Sequence, residues 1–168
     1  VGGCLLRAIR EVLGAEVATD AVIAAWAAAY GQLADLLIGA EEEVYAATAR
    51  ATGGWRGGRA FRVVGKVRES EEITSFHLQP ADGGALLDFI PGQYIGLRLW
   101  LDGEEVRRNY SLSQAANGRE YRISVKREAG GRVSNHLHEQ VREGDELELF
   151  APAGDFTLSA SRKPLVLI

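Results

Sequence analysis

The tetrapeptide Arg108-Asn109-Tyr110-Ser111 lies in a short run of residues with the pattern of a β-strand. Alternate side chains of a strand share a face, so Arg108 and Tyr110 are predicted to point the same way. A guanidinium binds phosphate oxygens through two parallel hydrogen bonds, and a phenol ring stacks on a flat heterocycle. The Ser111 hydroxyl is a hydrogen-bond donor for a ring nitrogen. Taken alone, the tetrapeptide is more typical of a surface strand in which Tyr110 packs against the core.

Three further segments surround this strand. Pro91-Gly92-Gln93-Tyr94 is a turn that enters a strand, and Ala151–Phe156 is another segment rich in turn residues. Gly130-Gly131-Arg132-Val133-Ser134 is a turn that opens a helix, whose free N–H groups and dipole favour an anion such as a pyrophosphate. By itself this last segment is more typical of a hairpin-to-helix turn with a serine cap.

The sequence from residue 60 onward follows a period of two, in short segments separated by turn residues. This spacing predicts a closed antiparallel barrel. The predicted strands are Ala60–Val67, Thr74–Gln79, Tyr94–Trp100, Arg107–Ser113, Tyr121–Arg127 and Glu146–Ala151, with one helix from Val133 to about Gln140.

Helices are predicted ahead of the strands, because residues 1–58 hold 15 alanines and the remaining residues only 9. A short helix covers Leu5–Leu13 and ends at Gly14, and Thr19 or Asp20 then caps a longer helix that runs to about Thr52. The longer helix carries an apolar stripe that two helices alone cannot bury. The stripe comprises Val22, Trp26, Ala29, Tyr30, Leu33, Leu37, Ala40, Val44, Ala47 and Ala51.

Composition limits the function classes. The 168 residues are 46% hydrophobic and 25% charged, with a net charge of -4. This balance predicts no nucleic-acid partner, and we expect no membrane span because no apolar run approaches the roughly 20 residues required. The single cysteine, Cys4, excludes an internal disulfide and favours a cytoplasmic location.

The two ends predict that this is an internal piece of a longer protein. The chain begins at Val1 and contains no methionine, and it ends in the apolar run Lys163–Ile168. Such a run is typical of the opening of a buried strand, and an unpaired apolar strand edge promotes aggregation.

The order of these motifs carries a family resemblance. From Phe61 to Ile168, the sequence PGQY, RNYS, GGRVS, APAGDF and a final apolar strand resembles the FAD-binding barrel of the ferredoxin-reductase family. The helical part resembles the last two globin helices of a flavohaemoprotein in its Trp26, Tyr30, Glu43-Val44-Tyr45 and Gly53-Gly54-Trp55. The chain is thus identified as a member of the flavohaemoprotein (flavohaemoglobin, nitric oxide dioxygenase) family.

This resemblance implies an α+β multidomain fragment: two C-terminal globin helices followed by an antiparallel Greek-key FAD-binding β-barrel with one helix. Residues 1–52 would be an incomplete globin domain, 53–59 a linker and 60–160 the FAD-binding barrel. Residues 161–168 would be the first strand of a truncated NAD(P)-binding domain.

The resemblance also implies an activity. In the intact protein, electrons would pass from NAD(P)H through FAD to haem b, where O2 converts nitric oxide to nitrate. The segment alone is expected to bind FAD and to be inactive. Two alternatives stay open: an FAD-containing reductase component of an oxygenase, which lacks globin-like helices, and a non-catalytic flavin-binding remnant.

The site residues implied by the resemblance fall in three groups. The FAD contacts are Tyr94, Arg108, Asn109, Tyr110 and Ser111, and the pyrophosphate turn is formed by Gly131, Arg132, Val133 and Ser134. Glu43 matches the glutamate that orients the proximal haem histidine. It lies at the edge of the apolar stripe, although Glu41-Glu42-Glu43 read alone is more typical of a solvated acidic patch.

The three histidines are not expected to bind a metal. His77 lies in a predicted strand, and His136 and His138 are two positions apart on a helix, so they cannot face one ligand together. Without an axial ligand, the segment should not hold haem as a globin does.

Overall fold

The computed structural model describes residues 2–157. The chain divides into two compact units, Val1–Ala47 and Thr48–Ile168. The strand predicted at 161–168 lies outside the described residues.

The first unit contains two helices. Helix α1 spans Gly2–Val17, with non-helical geometry at Gly14, where φ is 73°. Helix α2 spans Asp20–Arg50. The Thr19 hydroxyl accepts a hydrogen bond from the Val22 N–H at 3.4 Å, which is the N-cap expected from the sequence. The break at Gly14 agrees with the predicted helix end, although the chain resumes helical geometry up to Val17.

The two helices run antiparallel, with Arg10 paired to Asp20 at 2.6 Å. At the other end, a Cβ on Gly2 would come within 2.9 Å of the Tyr30 ring. Ala18 is the one buried hydrophobic residue among the described residues of this unit. The apolar stripe of α2 stays open, since Trp26 is 52% exposed and Leu37 is 53% exposed.

Helix α2 is more apolar than the sequence analysis expects, although no membrane span is shown by this. By length and composition it is apolar enough to cross a membrane, with a mean hydropathy of 1.5 over its most apolar window. The sequence reading, that no apolar run approaches this length, missed it because alanines carry much of its apolar character. The same two criteria are met by the core helices of water-soluble proteins and by signal sequences.

The second unit is built on one antiparallel sheet of six strands with the order β4-β3-β6-β1-β2-β5. Strand β6 lies between β3 and β1, so the chain crosses over between neighbours that are not consecutive in sequence, which is a feature of Greek-key sheets. The two edge strands approach each other where Leu112 forms a bridge with Ile123, so the sheet curls towards a barrel. The strands are β1 (Arg59–Arg68), β2 (Ile73–Pro80), β3 (Tyr94–Leu101), β4 (Glu104–Ser111), β5 (Tyr121–Lys126) and β6 (Glu146–Leu149).

Strand β4 differs most from its predicted bounds, because it begins at Glu104 instead of Arg107. Leu101 pairs directly with Glu104, so Asp102 and Gly103 form a two-residue hairpin. Both have positive φ, 53° and 81°, as such a tight turn requires. The strand therefore extends further towards the turn than its polar sequence indicates.

Helix α3, Arg132–Glu139, packs on the face of the sheet that forms the core. Its Val133 and Leu137 are buried with Ile95, Leu97 and the other core residues. Lys66 on β1 donates hydrogen bonds to the carbonyl oxygens of Leu137 and His138 at the C-terminal end of this helix and of Val141 just beyond it. Burial lowers the pKa of the Lys66 ammonium group, with Arg142 acting in the same direction.

The Gly53–Gly58 segment is tied to the barrel by Trp55. Its indole N–H donates to the Leu149 carbonyl at 3.1 Å, and its ring lies 5.5 Å from that of Phe61. Arg59 stacks over Trp55 and binds both carboxylate oxygens of Asp82, at 2.7 and 3.0 Å. These contacts hold the loop that follows β2 against the start of β1.

Candidate functional site

The β3–β4 hairpin sorts the predicted site residues onto two faces. Directly paired residues of an antiparallel ladder share a face. Tyr110 is opposite Ile95 and Arg108 is opposite Leu97, both of which are buried in the core. Arg108 and Tyr110 therefore lie on the inner, core-facing side of the hairpin, as the alternation in sequence predicts.

Arg108 is the arginine of this hairpin that keeps its charge available. Arg98 and Arg107 are each bound by a glutamate carboxylate. In the described part of the chain, the Arg108 guanidinium has no carboxylate partner and donates one hydrogen bond, at 2.7 Å, to the Arg107 carbonyl. Most of its donors are free for an anionic ligand.

Tyr110 has one apolar side and one open side. Its ring is half-buried and packs against the hydrophobic core. Burial raises the pKa of the Tyr110 phenol, while the nearby positive charge of Arg108 acts in the opposite direction. The electrostatic effect of Arg108 on this phenol agrees with their common face, and the phenol stays protonated at neutral pH.

Tyr94, Asn109 and Ser111 lie on the outer face of the same hairpin. Tyr94 is paired with Ser111, at the end of β4. A Cβ on Gly154 would come within 2.9 Å of the Tyr94 ring, so this ring stands against the Ala151–Phe156 segment. Within the described residues, none of these three side chains has a hydrogen bond, which leaves their polar groups free at the strand end.

The turn before α3 presents its backbone N–H groups. The first backbone hydrogen bond of the helix runs from the Asn135 N–H to the Gly131 carbonyl at 3.0 Å. In the described chain, the N–H groups of Arg132, Val133 and Ser134 have no acceptor. Gly130 has a φ of 72°. A Cβ on Gly131 would lie 3.0 Å from the Glu128 side chain, so both glycines are required for this turn.

The side chains of the turn contact other parts of the protein. Val133 is buried in the core, and the Ser134 hydroxyl accepts a hydrogen bond from the Glu128 N–H at 3.2 Å. The Arg132 guanidinium binds Glu104 and Asp102. The turn therefore offers an anion its main chain, while these three side chains point to protein partners.

Gln93 joins motifs that are distant in sequence, and sequence reasoning gave it no role of its own. Its side chain accepts from the Ile90 N–H at 2.9 Å and donates to the Gly154 carbonyl at 3.3 Å. The main-chain carbonyl of Gln93 accepts a hydrogen bond from the N–H of Leu112, the residue after β4. The PGQY turn thus holds the Gly154 segment beside the end of β4. No local signal in the sequence reveals this arrangement, because all three partners of Gln93 are backbone groups.

The remaining candidates lie apart from this cluster. Glu43 is exposed on α2 and has no hydrogen bond or ion pair within the described residues. His77 pairs with Glu120 at 2.8 Å, and the two ring nitrogens of His138 face Thr74 and the Val125 carbonyl. No group of three metal-binding side chains occurs among residues 2–157.

Residues 60–158 match the family of oxidoreductase FAD-binding domains. The chain belongs to this family. A curated flavohaemoprotein from Pseudomonas aeruginosa is 76% identical over all 168 residues, and the chain spans 43% of its length.

Two solved structures are similar to this FAD-binding domain chain. The flavohaem-like FAD/NAD-binding domain of nitric oxide dioxygenase from Vibrio cholerae is 52% identical, with a TM-score of 0.62, over 65% of this chain and 49% of that one. The flavohaemoglobin from Malassezia yamatoensis, solved with FAD and haem, is 27% identical, with a TM-score of 0.75. That match covers 91% of this chain and 38% of the other.

FAD fits the residues present. A diphosphate needs unpaired donors, and the free N–H groups of residues 132–134 and the Arg108 guanidinium supply them. A flavin ring needs an apolar surface with polar groups at its edge. Tyr110 provides that surface, and Tyr94 and Ser111 lie at the same end of the hairpin. These individual contacts remain predictions.

Proposed function

We propose that this chain is the FAD-binding part, with two adjoining globin helices, of a flavohaemoprotein that oxidises nitric oxide to nitrate. In the intact protein, NAD(P)H supplies electrons that pass through FAD to haem b and O2. The observation that carries the proposal is the similarity to flavohaemoproteins over the whole chain, helices included. The single cysteine also favours a cytoplasmic location.

The protein's task in this segment is to hold and orient the cofactor. When bound, FAD supplies the chemistry of accepting a hydride and releasing single electrons. The Arg108 guanidinium and the N–H groups of residues 132–134 neutralise and position its phosphates. The Tyr110 ring excludes water from one side of the flavin, and the Ser111 hydroxyl donates a hydrogen bond to the ring edge.

The helical unit would complete a haem-binding globin domain. Its apolar stripe is exposed at Trp26, Leu33, Leu37 and Val44, as expected of helices whose partners are other globin helices. Glu43 stands beside this stripe with no partner among the described residues, and it is proposed to accept a hydrogen bond from the haem-ligating histidine. Such a bond fixes the orientation of the imidazole and raises its basicity.

Two other functions compete with this proposal. A reductase component of an oxygenase shares the barrel but does not need α1 and α2, and a flavin-binding remnant needs no electron acceptor. The full-length protein encoded by the gene distinguishes them through its absorbance. We expect both flavin and haem bands, and NADH-dependent conversion of nitric oxide to nitrate. Flavin without haem would contradict the proposal.

The role of Glu43 has its own test in that full-length protein. Glu43→Gln removes the carboxylate, so we expect slower nitric oxide turnover and an altered Fe–histidine stretching band in the Raman spectrum. Glu41→Gln is the matched control, because it removes the same charge two residues away on the same exposed stretch of α2. Equal behaviour of the two variants would contradict the role.

A further inference from the structure

Arg132 is the first residue of α3, and its side chain grips the tip of the β3–β4 hairpin. Its Nη1 donates to Glu104 Oε2 at 2.6 Å, and its Nη2 donates to the Leu101 carbonyl at 2.6 Å and to Asp102 Oδ2 at 3.1 Å. All three acceptors belong to the last residue of β3, the turn and the first residue of β4. A single side chain therefore bridges the two segments of the flavin site.

We propose that Arg132 is a positioning residue, which sets the phosphate-binding turn of α3 at a fixed place beside the strand that carries Arg108 and Tyr110. This inference rests on FAD occupying the site described above. The sequence resemblance assigns residue 132 to the cofactor-binding turn. The structure limits that role to its main chain and gives the guanidinium to the hairpin.

The two arginines of the site have different environments. Arg108 has no carboxylate partner in the described chain, whereas Arg132 has two carboxylates and a carbonyl as acceptors. The hydrogen bond to Glu104 is the largest cause of the raised pKa of Arg132. The two carboxylates beside Arg132 compensate its positive charge and would repel a phosphate, whereas the charge of Arg108 is not compensated. Arg108 is therefore the better phosphate ligand.

The contacts of Arg132 with the hairpin determine where the phosphate-binding turn of α3 lies along β4. Glu104, Arg108 and Tyr110 share the inner face of that strand. Glu104 and Arg108 are four residues apart, about 13 Å along a strand. The core contacts of Val133 and Leu137 fix α3 against the sheet. Arg132 adds the contact at the first turn, where the free N–H groups are, and so determines how they are aimed.

The exposure of these ion pairs separates a positioning role from a stabilising one. The side chains of Arg132, Asp102 and Glu104 are 39%, 91% and 70% exposed. Exposed pairs contribute little to folding stability. Their loss is therefore expected to raise the dissociation constant for FAD while leaving the unfolding temperature of the FAD-free protein nearly unchanged.

The test uses the full chain, with the dissociation constant for FAD measured by flavin fluorescence and the unfolding temperature measured without FAD. Arg132→Ala removes the contacts with the hairpin. The double variant Asp102→Asn with Glu104→Gln keeps the Arg132 guanidinium but removes its anionic acceptors. Asn tolerates the positive φ of position 102. The control is Arg62→Ala, which breaks another exposed ion pair, the β1–β6 pair Arg62–Glu146 at 2.9 Å, whose side chains are 52% and 49% exposed.

We expect both Arg132→Ala and the double variant to raise the dissociation constant about tenfold, as loss of a supporting contact does in ligand sites. Their unfolding temperatures should stay within about 4 °C of the unsubstituted chain and of Arg62→Ala. A double variant that binds FAD as well as or better than the unsubstituted chain would make Arg132 a direct phosphate ligand and overturn the proposal.

Two further outcomes also overturn it. One is unchanged FAD affinity in Arg132→Ala, and the other is weaker binding accompanied by a fall in unfolding temperature well beyond that of Arg62→Ala, which would make the pair a general stabiliser. Failure of the unsubstituted, folded chain to bind FAD is a different result. It would count against the flavin site itself, and with it against this role of Arg132.

Discussion

At the scale of single residues, the site depends on which polar groups the fold leaves without partners. Arg98, Arg107 and Arg132 are bound by carboxylates, and Arg108 is not, within the described chain. All four are arginines, so only the partners of their guanidinium groups in the folded chain distinguish them. An arginine that stays unpaired beside a half-buried aromatic ring is the group available to a phosphate.

Tyr110 provides the first prediction at this scale. Because its hydroxyl has no hydrogen bond in the described chain and its ring packs on the core, the ring is the part expected to hold the flavin. Tyr110→Ala should weaken FAD binding by about 5- to 150-fold, which corresponds to the roughly 1–3 kcal/mol of a stacked base. Tyr110→Phe, the matched control, should change the affinity less than about threefold. Equal losses in both, measured by calorimetry, would assign the contact to the hydroxyl instead.

At the scale of elements, one arginine holds the loop that follows β2. Arg59 binds Asp82 through two hydrogen bonds, donates to the Ala85 carbonyl at 3.0 Å and stacks over Trp55. The Tyr121 hydroxyl donates to the Leu87 carbonyl of the same loop at 2.5 Å, and burial raises the pKa of this phenol. The loop leads into the PGQY turn, so these contacts support one border of the site.

The Asp82 pair gives a prediction in acid. The hydrogen bond from Arg59 lowers the pKa of the Asp82 carboxyl from its ordinary value of 3.8. A lowered folded-state pKa contributes stability that is present above about pH 3.8 and is lost as the pH falls through the lower value. Asp82→Asn should therefore destabilise the chain at neutral pH and narrow its difference from the unsubstituted chain at pH 3. A difference that is the same at both pH values, in urea titrations, would contradict this linkage.

The elements themselves were largely predictable, because period-two patterning and turn residues mark each strand. Predicted and observed bounds agree within one or two residues for β1, β2, β3, β5 and β6. The start of β4 was wrong by three residues, since its charged opening residues lack the apolar alternation. The ion pair between Arg132 and Glu104 was not predicted from the sequence, because an ion pair between residues 28 positions apart depends on tertiary packing and has no local signature.

At the scale of the whole chain, the two units differ in how their apolar surface is covered. The barrel unit buries a continuous core that includes Phe61, Phe76, Ile95 and Leu137. The helical unit leaves large apolar side chains of the stripe open along α2, with Leu33 at 54% and Leu37 at 53% exposure. Contiguous apolar surface of this kind marks a contact with further protein. Sequence periodicity predicted that stripe, but it did not predict which residues α1 would cover.

The stripe provides a prediction for the chain by itself. We expect the chain to bind a hydrophobic dye and to self-associate through this surface. Leu37→Glu, on the stripe, should reduce both dye fluorescence and the mass measured by light scattering. Ile38→Glu lies off the stripe with a similar exposed fraction and is the matched control. A larger reduction in Ile38→Glu than in Leu37→Glu would contradict the assignment of the stripe as the contact face.

The central claim is that this chain binds FAD through β4, with Arg108 and Tyr110 on its inner face and Ser111 at its end, and through the turn before α3. It is tested most directly by titrating FAD into the folded chain and into Arg108→Ala, with calorimetry as the readout and circular dichroism to verify folding. We predict saturable binding of one FAD per chain. In Arg108→Ala the affinity should fall by about 10- to 150-fold, the roughly 1.5–3 kcal/mol of a charged hydrogen bond. Absence of binding by the folded chain, or equal affinity in the two proteins, would contradict the account.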